Sequence, residues 1–207
     1  MSSETIINLL HEGRYWKFSF SDVQPKQIHL IFERFMDPIS HVAIRFHLKS
    51  PLELRSLDDK DTAMITDLIF SPEAAVPVGE KLKLFPSLQG EYVFVHRLLS
   101  LEAAKDWMVL VQKHKVDQFS IEMGEQSVLK LFSKVIQLAT DEKQNQNYFL
   151  LNKNCSTTIA DLLVEEKLSA FELVSRVIPV PMNFGLLNFL KGRNLVNFTK
   201  TDQHLKL

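Results

Sequence analysis

Over residues 41–48 the side chains alternate without a break. Val42, Ile44, Phe46 and Leu48 fall on one side, and His41, Ala43, Arg45 and His47 on the other. A two-residue repeat belongs to extended chain, so this stretch predicts a β-strand with an apolar face turned to a core. TAMITDLIF (62–70) and EYVFVHRL (91–98), rich in β-branched and aromatic residues, predict two further strands, with 51–61 as a connection and the Pro- and Ala-rich Ser71–Gly79 as a loop. PKQIHLIFERFM (25–36) has Pro in front and near-helical apolar spacing, which predicts a short helix. The second half reads as helical, over residues 100–115, 124–140, about 154–168 and 169–177. A short FGLLNFLKG helix follows Pro179 and Pro181. The expectation is a single α+β domain spanning 1–207, with a small antiparallel sheet in the first half and helices in the second.

Composition narrows the function. With 24 Lys+Arg against 25 Asp+Glu the formal net charge is -1, so no global basic field exists to hold a nucleic-acid backbone. One Cys can form neither an internal disulfide nor a cysteine-rich zinc site. No metal or cofactor motif is present: there is no HExxH, no GxSxG, no phosphate-binding Gly loop and no EF-hand loop. No run approaches the roughly 18 apolar residues of a membrane span. The first residues, MSSETIINLLHEGRYWKF, lack the basic start, long apolar stretch and small-residue cleavage site of a secretory signal. A cytoplasmic chain, or one exported by another route, is therefore expected.

The segment that carries chemistry is Asn154-Cys155-Ser156-Thr157-Thr158. Asn154 suits the N-cap of the helix after it, because its side-chain oxygen can accept a first-turn N–H. Cys155 then lies in the first turn, where free amides and the positive end of the helix dipole favour a thiolate. The same amides can stabilise an oxyanion, with Asn154 and Ser156 as the residues flanking the sulfur. The alternative is a small buried hydrophobe with no chemistry. A nucleophilic thiolate needs a base, and seven His are available: His11, His29, His41, His47, His96, His114 and His204. His41, His47 and His96 lie on predicted strands. His41 and His47 share a strand face, and spacing does not choose between them.

Taken in order, these segments resemble a bacterial family. NYFLLNKNCSTTIADLL is similar to the Cys motif of the Lnb N-terminal periplasmic domain family, and SHVAIRF to its His motif. TAMITDLIFSPEA, HRLLSLEAAKDWMVLV and VIPVPMNFGLLNFLKGRNLV resemble its second strand, its helix entry and its closing Pro-x-Asn segment. The ordered set covers roughly residues 30–196. The resemblance implies a circularly permuted papain-like fold related to the NlpC/P60 proteins, in which a small sheet packs on the Cys-bearing helix. It also implies Cys155 as nucleophile and His41 as general base. The third, orienting residue of such sites stands on the strand after the His, which here offers Thr66 and Asp67, with Asp67 preferred as a carboxylate. Ser40 stands where the family commonly has Gly before its His, and family members are typically envelope proteins.

The function implied is a thiol-dependent acyl-transfer enzyme, an acyltransferase or an amidase or peptidase. It would need no cofactor and would act on a peptide, amide or acyl-lipid substrate through a thioester. A non-catalytic binding module of the same fold is the alternative. The acyl acceptor would be water or an amine.

Overall fold

The computed structural model describes residues 5–36, 39–77, 80, 82–141, 146–151, 153–163, 186, 190 and 192. The expected helix 169–177 and the Pro-x-Asn segment lie outside them. Of the expected closing helix, Leu186 and Leu190 are described, both helical and buried.

The chain opens with a hairpin. Strand β1 (Thr5–His11) turns back into β2 (Arg14–Ser19) through Glu12-Gly13. Both turn residues have positive φ, 48° and 74°, the type I′ geometry whose twist suits paired strands and which glycine adopts without strain. A single 3-10 turn at Phe20–Asp22 leads to β3 (Pro25–Met36), β4 (Ile39–Ser56) and β5 (Thr62–Ala75). Helix α1 (Leu84–Gln89), strand β6 (Tyr92–Ser100) and helix α2 (Leu101–Lys105) follow. The chain then passes through a π-helical turn at Asp106–Val111 into β7 (Lys115–Ile121). Helix α3 (Glu125–Thr140), strand β8 (Gln146–Tyr148) and helix α4 (Cys155–Leu163) complete the described elements.

The sheet has eight strands, ordered β2-β1-β6-β5-β4-β3-β7, with β8 added to β6. It closes on itself, because β2 also pairs with the far end of β4 at Trp16–Ser56 and Lys17–Arg55. Five strands (β1, β2, β4, β5 and β6) therefore form a closed barrel, with β3 and β7 continuing outward from β4. The length of β4 makes this possible: its first half pairs with β3 and its last residues with β2. The strand bends where the β4–β5 register slips between His47 and Leu52. Pro51, which has no N–H for a ladder, falls in that irregularity.

This architecture overturns the expected fold. The molecule is sheet-rich and built around a closed five-strand barrel, not a small sheet packed on a Cys-bearing helix in a papain-like α+β arrangement. The largest single error is β3, which the apolar spacing of 25–36 assigns to a helix. As an inner strand between β4 and β7 it is covered on both faces. Ile28, Leu30 and Phe32 enter the main core and Ile31 a second one, so its apolar residues run together instead of alternating. The expected strands at 40–48, 62–70 and 91–98 are present, and all three run past their expected C-terminal ends. In particular, β5 runs on through Ser71–Ala75, which Pro72 had marked as loop.

The main core fills the barrel and the space under α3 and α4. Trp16, Leu54, Phe46, Phe70 and Leu98 meet Phe132, Val135 and Ile159 there. The Phe46 ring stands edge-on to Phe132, with centroids 5.1 Å apart. Ile31, Ala43 and Ile69 are packed against Leu101, Ala104 and Met108 in the second core.

Candidate functional site

The β4–β5 ladder runs up to Ile44–Phe70 and no further among the described residues, although both strands continue. Beyond it the two strands are no longer paired with each other, and helix α4 lies against both. This arrangement brings Cys155 to His41. Asn154 fixes the start of the helix: its Oδ1 accepts the Thr157 N–H at 3.0 Å, and its own N–H donates to Thr157 Oγ1 at 2.9 Å. The exchange is a capping box with Thr in the place of the usual Glu or Gln. Asn154 Nδ2 donates to the Leu150 carbonyl at 2.7 Å, tying the helix to the preceding turn. The Asn154 side chain is thus engaged at both ends as a cap and a tether, and does not point toward the sulfur as an oxyanion donor.

Cys155 is 4% exposed. Burial pushes its thiol pKa up, but three donors outweigh it: the His41 ring with its charge, the backbone N–H of Val42 and the Ser156 hydroxyl. The net shift is downward. The Val42 amide can serve the sulfur because β4 is no longer paired with β5 at this level. The Ser156 hydroxyl beside the sulfur is fully buried and has no partner within hydrogen-bond geometry among the described residues. For His41, burial opposes the imidazolium. The hydrogen bond to Cys155, the thiolate charge, and the carboxylates of Glu33 and Glu73 raise its pKa to about 9. The two groups stabilise each other as thiolate and imidazolium.

His41 Nε2 lies 2.8 Å from Ser71 Oγ, which leaves Nδ1 for the sulfur. Ser71 Oγ donates to Glu73 Oε2 at 2.9 Å, and Arg97 Nε lies 2.9 Å from the other Glu73 oxygen. Across the ladder from His41 on β3 stands Glu33, a buried carboxylate held 2.6 Å from His114 Nδ1. Tyr148 is buried beside the site, and burial together with the Cys155 charge keeps its phenol protonated.

Asp67 is not part of this cluster. Its Oδ1 accepts from Arg45 Nε at 2.8 Å and lies 3.0 Å from His47 Nδ1, and its Oδ2 accepts from Thr66 Oγ1 at 2.8 Å. Neither Asp67 nor Thr66 orients His41. The residues in that position, Ser71 and Glu73, were hidden by the reading of 71–79 as a loop. The signal that could have found them is the continued two-residue step Asp67, Ile69, Ser71, Glu73 along one face of β5. His47 keeps company with Asp67, and His96 stacks on Phe70 and meets Phe94 edge-on.

Among the described residues no three His, Cys, Asp or Glu side chains converge as a metal-binding set, and no helix is long and apolar enough to cross a membrane. No protein-family model, curated protein or solved structure matches the chain.

Proposed function

We propose that this protein is a thiol-dependent acyl-transfer enzyme with Cys155 as nucleophile and His41 as acid and base. The observation that carries the reading is the placement of Cys155, at the capped start of α4, beside His41, where each group favours the charged form of the other. A nucleophile beside a base that a third group orients is the arrangement covalent catalysis needs. The likeness of the Cys and His motifs to those of the Lnb N-terminal periplasmic domain family supports the same two roles.

In the proposed reaction the Cys155 thiolate adds to the carbonyl carbon of a peptide, amide or acyl-lipid substrate. His41 passes its Nδ1 proton to the departing amine or alcohol, and the acyl group stays on sulfur as a thioester. Water or an amine then attacks, His41 takes the proton from it, and the C–S bond breaks to return the thiolate. The Asn154 side chain holds the Thr157 amide and its carbonyl the Thr158 amide. Oxyanion donation from this helix therefore falls to the amides of Cys155 and Ser156.

The test is intact-mass spectrometry after incubation with candidate acyl donors. The expected outcome is an acyl adduct on wild-type protein that an added amine discharges, and its absence in the near-isosteric Cys155→Ser. The second reading, a non-catalytic binding module, draws on the burial of Cys155. It requires that the folded thiol take up neither acyl donors nor alkylating agents until denaturant is added.

A further inference from the structure

The hydrogen bonds behind His41 run in one direction. Arg97 Nε, 2.9 Å from Glu73, can only donate, and an ionised carboxylate can only accept. The Ser71 hydroxyl has a single proton, and it goes to Glu73 Oε2 at 2.9 Å. What Ser71 offers His41, 2.8 Å away, is therefore a lone pair. An imidazole nitrogen facing an acceptor must carry the proton. The neutral ring is thereby held as the Nε2–H tautomer, with the Nδ1 lone pair turned to the sulfur. The chain crosses three neighbouring strands: His41 on β4, Ser71 and Glu73 on β5, and Arg97 on β6, where Ser71 and Arg97 are paired in register. Ser71 is fully buried, so water does not compete for its hydroxyl.

We propose that Ser71 and Glu73 are positioning residues for His41, a one-way hydrogen-bond relay anchored by Arg97 that selects the tautomer able to act on Cys155. The proposal deepens the thiol-enzyme reading and depends on it only for its catalytic consequence. The other groups acting on His41 are Cys155 from α4 and Glu33 from β3, the latter held by His114; the hydrogen-bond partner of Nε2 is Ser71. Glu33 supplies charge, whereas the relay supplies both charge and direction.

Long-range proton–nitrogen NMR of the full chain, labelled with ¹⁵N at histidine, reads tautomer and protonation of His41 directly. In a Cys155→Ala background the thiolate no longer contributes, so the relay is observed alone. The expected neutral ring there is Nε2-protonated. Adding Glu73→Gln, which is isosteric but able to donate as well as accept, is expected to mix the tautomers and move the His41 titration to lower pH. Ser71→Ala should do the same, and the two changes together should add little beyond either one, since both cut one chain. Identical tautomer and titration in the Glu73→Gln protein, or a neutral ring already protonated on Nδ1 in its presence, overturns the proposal. Failure of the thiol-enzyme reading shows elsewhere, as the absence of any acyl adduct on wild-type protein, and leaves these spectra unchanged.

Discussion

At Cys155 and His41 two ionisations are tied together with opposite signs. The thiol loses its proton more readily because an imidazolium faces it, and the imidazolium keeps its proton up to about pH 9 because a thiolate faces it. Between those limits the pair is zwitterionic. A free thiol, with pKa near roughly 8.5, is only a few per cent ionised at neutral pH. Iodoacetamide should therefore label folded Cys155 faster than a model thiol at pH 7, and its rate profile should begin to rise at lower pH. His41→Ala removes the imidazolium, so the profile should move back upward. The rate at neutral pH should fall by roughly tenfold, because the lost ionisation is partly offset by the greater nucleophilicity of a more basic thiolate. Asp67→Asn should leave the profile where it is, because Asp67 serves Arg45, His47 and Thr66. A shift of the labelling profile in that variant would return Asp67 to the site.

Helix α4 delivers the sulfur, and its cap sets where it begins. Asn154→Ala removes the acceptor for the Thr157 amide and the donor to the Leu150 carbonyl. The expected cost is about 0.5–2 kcal/mol of unfolding free energy by denaturant titration. Labelling of Cys155 should slow with it, since the first turn no longer holds the sulfur against Val42. The cap was legible from residues alone, because Asn before a helix pattern makes a local hydrogen bond that needs no partner elsewhere in the chain. The alternating strand at 41–48 was legible for the same reason: its period is written in consecutive residues. The β1–β2 hairpin went unread although Glu12-Gly13 lies between its strands. The identity of β3 was not legible, because burial on both faces erases the alternation that distinguishes a strand from a helix. Barrel closure was least so. It rests on Trp16 and Lys17 meeting Ser56 and Arg55, contacts between distant parts of the chain that no local pattern announces. The orienting residues failed on one assumption, that Pro72 ends a strand. Here Pro72 sits opposite His96 within β5 and the strand passes through it.

On the scale of the whole molecule the barrel and its three hydrophobic clusters set stability, and two histidines give it a pH dependence of opposite sense. His29 is buried beside Arg45, and its pKa falls to about 4, with burial the larger cause and the Arg45 charge the next. As pH drops below the unfolded value of 6.5 the unfolded chain takes up a proton that the native ring refuses, so stability falls toward pH 4. His41 works the other way: its contribution is complete below 6.5 and is lost as pH rises through about 9. Denaturant midpoints should decline on the acid side in wild-type protein and decline less in His29→Gln; equal acid slopes would show that His29 does not govern this limb. In the interior, Phe46→Ala should cost about 3–5 kcal/mol, because it empties the contact with Phe132 where barrel and helix meet. The end of the β4–β5 pairing has a consequence in time as well as space. The amide of Val42 and the ring of His41 are made early in the chain and the sulfur late, so a nascent or unfolded polypeptide carries only an ordinary, sluggish thiol. Reactive sulfur comes into being when helix α4 seats against the two strands, and a brief alkylation pulse during refolding would time-stamp that event.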